Sequence, residues 1–213
     1  MKTDDLIHIL SANLEPVKQG QLGKTLAGAL FIGGVAALCL MLATVGARPD
    51  VANGANLPFL AVKLLFALGL VAAGAAFLLR SMFPGRDGQK TFAFIFLPFV
   101  AIIAAGLVAL ALADSSHWSR MFLGAEWAAC LICIPLLAVI PFGGLIWALR
   151  KGTPTNLRRT GAVAGLVAGA LGAAAYAFHR PDDSLPFIAI WYGAPILICA
   201  FIGATLGPRL LRW

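Results

Sequence analysis

Charge is scarce in this sequence. Lysine, arginine, aspartate and glutamate make up 12% of the 213 residues, and only nine residues are acidic. Soluble domains carry about 25% charged residues, so this supply is too small for a water-facing surface. Cysteine is scarce as well. Four residues, Cys39, Cys130, Cys133 and Cys199, are too few for a disulfide scaffold in a chain of this length. The chain has no Walker loop, no Gly-x-Ser-x-Gly, no His-Glu-x-x-His and no nucleotide fingerprint. It therefore reads as neither an enzyme nor a cofactor carrier. What it has is grease: 61% of residues are hydrophobic and the mean hydropathy is +0.91. Disorder and a collagen-like rod are excluded on the same ground.

A bilayer core about 30 Å thick is crossed by about 20 apolar residues in a helix. Six runs qualify: 25–45, 58–79, 91–113, 123–149, 160–178 and 185–206. They are unbroken rather than alternating, which predicts helices and argues against a β-barrel. The expected fold is an all-α membrane protein with six transmembrane helices. A cytoplasmic segment, residues 1–24, precedes a membrane domain, residues 25–213, with short loops. The fourth run carries Pro135 and Pro141 and is expected to kink.

Basic residues are retained on the cytoplasmic side. Twelve lysines and arginines fall in the N-terminal segment, the second and fourth loops and the C-terminus; three, Arg48, Arg120 and Arg180, fall in the other loops. This predicts both termini in the cytoplasm. It also accounts for the net charge of +7 without direct nucleic-acid binding.

Ionisable groups inside a membrane are the default functional candidates. Lys63 lies about one turn inside the second run, and Glu126 near the start of the fourth. They are read either as an intramembrane pair or, for Lys63, as a side chain that snorkels out. Cys130 and Cys133 form a C-x-x-C on a helix. Positions i and i+3 share a face there but rarely reach disulfide geometry, so packing competes with thiol or metal chemistry. His179 lies beside Asp182 and Asp183, a set that suits either a weak metal site or loop hydrogen bonds. In the fifth run Gly161, Gly165 and Gly169 recur every four residues. Such a stripe admits a close helix neighbour, within the bundle or in a homodimer. Gly152 is placed to cap the fourth helix, and Asp183 or Ser184 the sixth, with Pro186 in its first turn. The tryptophans fall mostly near run ends, as interface anchors do.

The first residues form a separate pattern. Thr3 can cap a helix, with Asp4 and Asp5 favourable in its first turn. Leu6, Ile7, Leu10 and Leu14 then share one face, and Pro16 ends the segment. A helix lying on a membrane usually carries Lys or Arg on its polar face. The acids here point instead to docking in a protein groove.

Several phrases occur in a telling order: Met1-Lys2-Thr3-Asp4-Asp5-Leu6-Ile7, Ile134-Pro135-Leu136-Leu137-Ala138 after Cys130, Leu149-Arg150-Lys151-Gly152-Thr153-Pro154-Thr155, His179-Arg180-Pro181-Asp182-Asp183-Ser184 before Trp191-Tyr192, and Gly207-Pro208-Arg209-Leu210-Leu211-Arg212-Trp213. Together they resemble the NrsF family of bacterial inner-membrane anti-sigma factors over nearly the whole chain. The resemblance implies a six-span inner-membrane protein that binds an extracytoplasmic-function sigma factor through its cytoplasmic parts and releases it on envelope, metal or thiol stress. It implies a sensing cysteine before Ile-Pro-Leu-Leu, which is Cys130. A second cysteine typical of the family follows the histidine; here that position is Arg180, so Cys133, His179, Asp182 and Asp183 are left as candidate partners of Cys130. A small transporter or channel built on Lys63 and Glu126, and an accessory subunit of a membrane complex, are the alternative readings.

Overall fold

A computed structural model describes residues 19–46, 57–83, 89–124, 127–179 and 184–212. The helices are α1 (Gln19–Thr44), α2 (Leu57–Ser81), α3 (Gln89–Phe94), α4 (Phe96–Leu112), α5 (Trp118–Leu123), α6 (Trp127–Leu149), α7 (Leu157–Tyr176), α8 (Leu185–Phe187) and α9 (Gly193–Leu210). A 3-10 turn, Ser115–His117, precedes α5, and a π-helical turn, Ile188–Tyr192, joins α8 to α9. No strand is present among the described residues. The N-terminal segment proposed as a docking helix, Thr3 to Leu14, lies outside the described residues.

Five helical stretches are long and apolar enough to cross a membrane: Gly20–Thr44, Leu57–Ser81, Thr91–Leu112, Trp127–Leu149 and Leu185–Leu210. Their outward faces carry large apolar side chains, among them Leu65 at 76% exposure and Phe201 at 68%. A belt of that kind on several helices is compatible with a membrane protein. The third run is broken at Ile95, where the sequence suggested a continuous helix. Pro98 has no N–H to give, and its ring crowds the carbonyl four residues back, at Phe94. Ile95 N–H bonds to Phe92 O instead, at 3.2 Å. The fourth run begins later than expected, at Trp127, because Gly124 adopts a positive φ of 55° and separates α5.

The fifth run is α7, and it differs in kind. It is not among the five strongly apolar stretches, since Arg158 and Arg159 open it and glycine and alanine fill it. Its side chains are nearly all buried, because α1, α2, α6 and α9 pack around it. A helix surrounded by protein needs small residues more than greasy ones. The glycine stripe is spent on α9. A Cβ at Gly161 would strike the Gly203 carbonyl, one at Gly165 the Cys199 carbonyl, and one at Gly169 would lie 3.0 Å from the Cys199 Cβ. The pairing runs antiparallel, and Gly203 and Gly207 return the contact from the other side. A homodimer through Gly161, Gly165 and Gly169 is therefore overturned: the face is filled by the chain's own α9. Gly172 continues the same logic toward α6, where a Cβ would lie 2.8 Å from Ile134 O.

The connections sort to two ends. At one, Gly23 faces Leu79, Thr153 N–H bonds to Met82 O (3.1 Å), and Arg150 Nε donates to Leu210 O (2.6 Å). Lys24, Arg80, Arg150, Lys151, Arg158, Arg159, Arg209 and Arg212 all sit at this basic end; Asp114 lies at the far end. Gly152 is not the helix cap suggested by its position. It admits Met82, whose Cβ would stand 2.8 Å from an added Cβ.

The packing predicts a contrast between glycines. Gly165→Ala should destabilise the protein by about 1–3 kcal/mol through overpacking against backbone. Gly28→Ala, with nothing within 4 Å of the new methyl, should be neutral or stabilising by about 0.5–1 kcal/mol. Thermal unfolding in detergent checks both.

Candidate functional site

The far end holds a cluster of polar and aromatic side chains, where the residues just after α7 and the start of α8 contact the end of α1 and α5. Ser184 starts α8 as expected: its Oγ accepts from Phe187 N–H at 3.3 Å. The same hydroxyl donates to Met121 O at 2.8 Å. Gly124 fits against the Phe187 ring, where any Cβ would collide at 2.5 Å. The π-helical turn follows. Such turns insert one extra residue, re-aim the side chains after them and recur at functional sites. Here Trp191 Nε1 donates to Phe122 O at 2.7 Å, and its ring packs on Trp127 with centroids 4.8 Å apart. Trp191 thus uses its N–H inside the protein rather than at an interface with headgroups.

The next residue, Tyr192, is fully buried. Lys63 Nζ lies 5.8 Å from the centre of its ring. That is near the limit for a cation–π attraction. Lys63 itself has no exposure, so the snorkelling expected as one reading does not occur; the ammonium is enclosed between helices. Tyr176 packs 6.5 Å from Tyr192 and 5.6 Å from His179. His179 Nδ1 contacts Gly46 O at 2.9 Å. A carbonyl only accepts, so Nδ1–H is the donor. Gly46 has a positive φ of 79° and closes α1. A continuous series, Lys63–Tyr192–Tyr176–His179–Gly46, therefore runs from the bundle interior to the end of α1.

Cys130 is fully buried and Cys133 half-buried. Cys130 precedes Ile134 by one turn. Ile134 backs onto Gly172, so antiparallel packing sets Cys130 near the level of Tyr176. All four cysteines are among the described residues, and none is in a disulfide. Among the described residues no group of three His, Cys, Asp or Glu could hold a metal ion. Glu126, Asp182 and Asp183 lie outside the described residues. Sequence reasoning found Lys63, His179 and Ser184 but passed over Tyr176, Tyr192 and the role of Trp191. A signal existed: the chain has two tyrosines, both inside apolar runs, and a phenol in hydrocarbon calls for a partner.

The chain matches a protein family described as NrsF, negative regulator of sigma F, over residues 10–213. It is 34% identical over 213 residues to the probable anti-sigma-F factor NrsF of Azospira oryzae, with both chains covered completely. It is 32% identical over 214 residues to the anti-sigma-F factor NrsF of Caulobacter vibrioides, again with complete coverage of both. No solved structure shows a significant match.

The cluster predicts that His179→Phe, which keeps an aromatic ring beside Tyr176 but loses the N–H donor, weakens the hold on α1. The expected loss is about 1 kcal/mol of stability, with faster amide exchange at Val45 and Gly46. Unchanged exchange there would refute the contact's role.

Proposed function

Because the chain belongs to the NrsF family of negative regulators of sigma F, we propose that it is a membrane-bound anti-sigma factor. It sequesters an extracytoplasmic-function sigma factor at the bacterial inner membrane and releases it on envelope, metal or thiol stress. The observation that carries the reading is similarity over the full length to two anti-sigma-F factors. The family is one of regulators, not a known family of enzymes.

In this reading α7 is a sixth crossing. Its 20 residues span about 30 Å at 1.5 Å per residue, the thickness of a bilayer core. It is less apolar than a lipid-facing helix because its neighbours shield it. Six crossings return both termini to one side, and the basic end is the cytoplasmic one by the retention of Lys and Arg. The start of α1 lies at that end, so residues 1–18 attach on the side where a sigma factor would be. Thr3, Asp4, Asp5, Leu6, Ile7, Leu10 and Leu14 are the proposed docking face. A preformed or induced amphipathic helix entering an apolar groove is a recurrent mode of protein recognition.

For release, we assign the sensing role to Cys130, with Cys133, His179, Asp182 and Asp183 as its candidate partners. The burial of Cys130 on the face toward α7 supports a coupling to the bundle: a soft metal or an oxidant acting there has to displace packed helices. A transporter reading based on Lys63 and Glu126 has less support, since Lys63 is enclosed rather than set along a polar path.

Two measurements test this. Deleting residues 3–14 should leave membrane insertion intact, abolish capture of the cognate sigma factor from detergent extracts and derepress its regulon. Normal repression by the truncated chain would remove the docking helix from the account. Cys130→Ser should blunt induction by thiol-reactive metals while basal repression stays in place, and an unaltered response would return Cys130 to packing alone.

A further inference from the structure

On the basic side of the bundle, we infer that the crevice between α6 and α9 is a binding site for one anionic phospholipid. Arg150 follows α6 and its Nε donates to the carbonyl of Leu210 at the end of α9, at 2.6 Å. This ties the two helix ends together and fixes a guanidinium between them. Arg209 lies in the last turn of α9, and Lys151 bends over the Trp147 ring with Nζ 3.9 Å from its centre. Trp147 is 58% exposed on the apolar belt. A tryptophan there with a lysine over it marks the headgroup level of a bilayer. Three basic residues are thus placed where the two helices end, Arg209 seven positions after Ile202 and so on the same side of α9, and basic pockets between spans on that side suit phosphate headgroups.

The apolar half of the site lies below them. A crevice of about 100 Å³ opens between the same two helices, walled by Val139, Phe142 and Ile202 and floored by Gly165 and Ala168 of α7. Phe142 is eight residues from Arg150 and Ile202 eight from Leu210, so the upper end of the crevice lies about 12 Å below the cations at 1.5 Å per residue, and Pro135, further along α6, puts its lower end about 22 Å below. One leaflet of the hydrocarbon core is about 15 Å deep. An acyl chain hung from a phosphate at Arg150 therefore reaches the upper end of the crevice with its terminal carbons. The depth of the crevice follows from the small residues of α7 beneath it. Charge at the mouth and an apolar slot at chain depth, on the same pair of helices, fit a diacyl anionic lipid better than a free anion, which would leave the slot unused. The inference needs α6 and α9 to span a bilayer; it does not depend on the docking of a sigma factor.

The test uses the full-length protein in vesicles of phosphatidylglycerol or phosphatidylcholine, with retained lipid measured by native mass spectrometry after gentle extraction. Wild-type protein should retain phosphatidylglycerol and not phosphatidylcholine. Arg150→Gln combined with Arg209→Gln should lower the retained lipid about tenfold. Ile202→Trp, an exposed position whose enlarged side chain fills the crevice, should lower it similarly with every cation in place. Arg158→Gln with Arg159→Gln, cations of the same end but on α7, should change it less than twofold. Equal retention of both lipids overturns the site. So does a loss on Arg150→Gln/Arg209→Gln without a loss on Ile202→Trp, which would reduce the effect to a diffuse cationic ring. An unchanged lipid signal together with weakened capture of the sigma factor would assign this face to the protein partner and likewise overturn the proposal.

Discussion

The backbone-to-backbone contact between α7 and α9 constrains everything else in this fold. Lipid tails are as apolar as leucine, so grease alone does not drive one spanning helix against another. Close approach does, and it is available only where side chains are absent. Gly161 and Gly165 on α7 interlock with Gly203 and Gly207 on α9 so tightly that a methyl group at any of them meets a carbonyl or an α-carbon. With α9 held on one side, Gly172 brings α6 onto another, and Gly74 of α2 admits Val163 and Val167. The result is a central helix of small residues with its neighbours' large side chains turned outward. The outward belt and the small-residue centre are two sides of one arrangement.

The same helix connects the two ends of the molecule. Its first turn carries Arg158 and Arg159 at the basic end, and residues just past its last turn carry the contacts of His179 at the far end. A helix gripped by backbone along its length moves as a rigid piece or separates from α9 altogether; packed interfaces of this kind are not continuously deformable. A disturbance of the far-end cluster that shifts α7 must therefore be felt at the basic end.

Much of this was legible in the chain. Unbroken apolar runs located the helices, because hydrocarbon forces backbone groups to pair within each segment. The glycine stripe was legible as a packing face, but its partner was not: a spacing of four specifies closeness without saying to what. Only the counter-stripe of Gly203 and Gly207, set in a strongly apolar helix, decided for contact within the chain. The break at Ile95 was readable in principle from Pro98, whereas Pro135 and Pro141 sit within α6 without ending it. The π-helical turn carries no composition signal, since its residues, Ile188 to Tyr192, are ordinary helix formers for a membrane span. The hooks of Ser184, Trp191 and His179 onto the carbonyls of Met121, Phe122 and Gly46 were illegible for a related reason. Each bond joins residues at least 63 positions apart, and an acceptor carbonyl leaves no mark on residue identity.

Lys63 illustrates why position along a helix is a poor guide to exposure. It lies six residues from the start of α2, about 9 Å deep at 1.5 Å per residue. From there a lysine on a lipid-facing surface reaches the headgroups and keeps its charge in water. The burial of this one follows from the face it occupies. Leu60, Lys63, Phe66, Ala67 and Leu70 form the buried stripe of α2, and the lysine shares that stripe with residues chosen for packing. Removing an ammonium from solvent costs several kcal/mol unless its surroundings restore the lost interactions. Retaining it on the packing face, against Tyr192 of the π-helical turn, makes the fit between α2 and the α8–α9 segment depend on a polar contact as well as on shape. A polar side chain on a packing face fits fewer alternative registers than an apolar one. The far-end cluster is in this sense the polar counterpart of the glycine interlock: the glycines let the helices lie close, and Lys63 is buried where α2 meets Tyr192 of the π-helical turn.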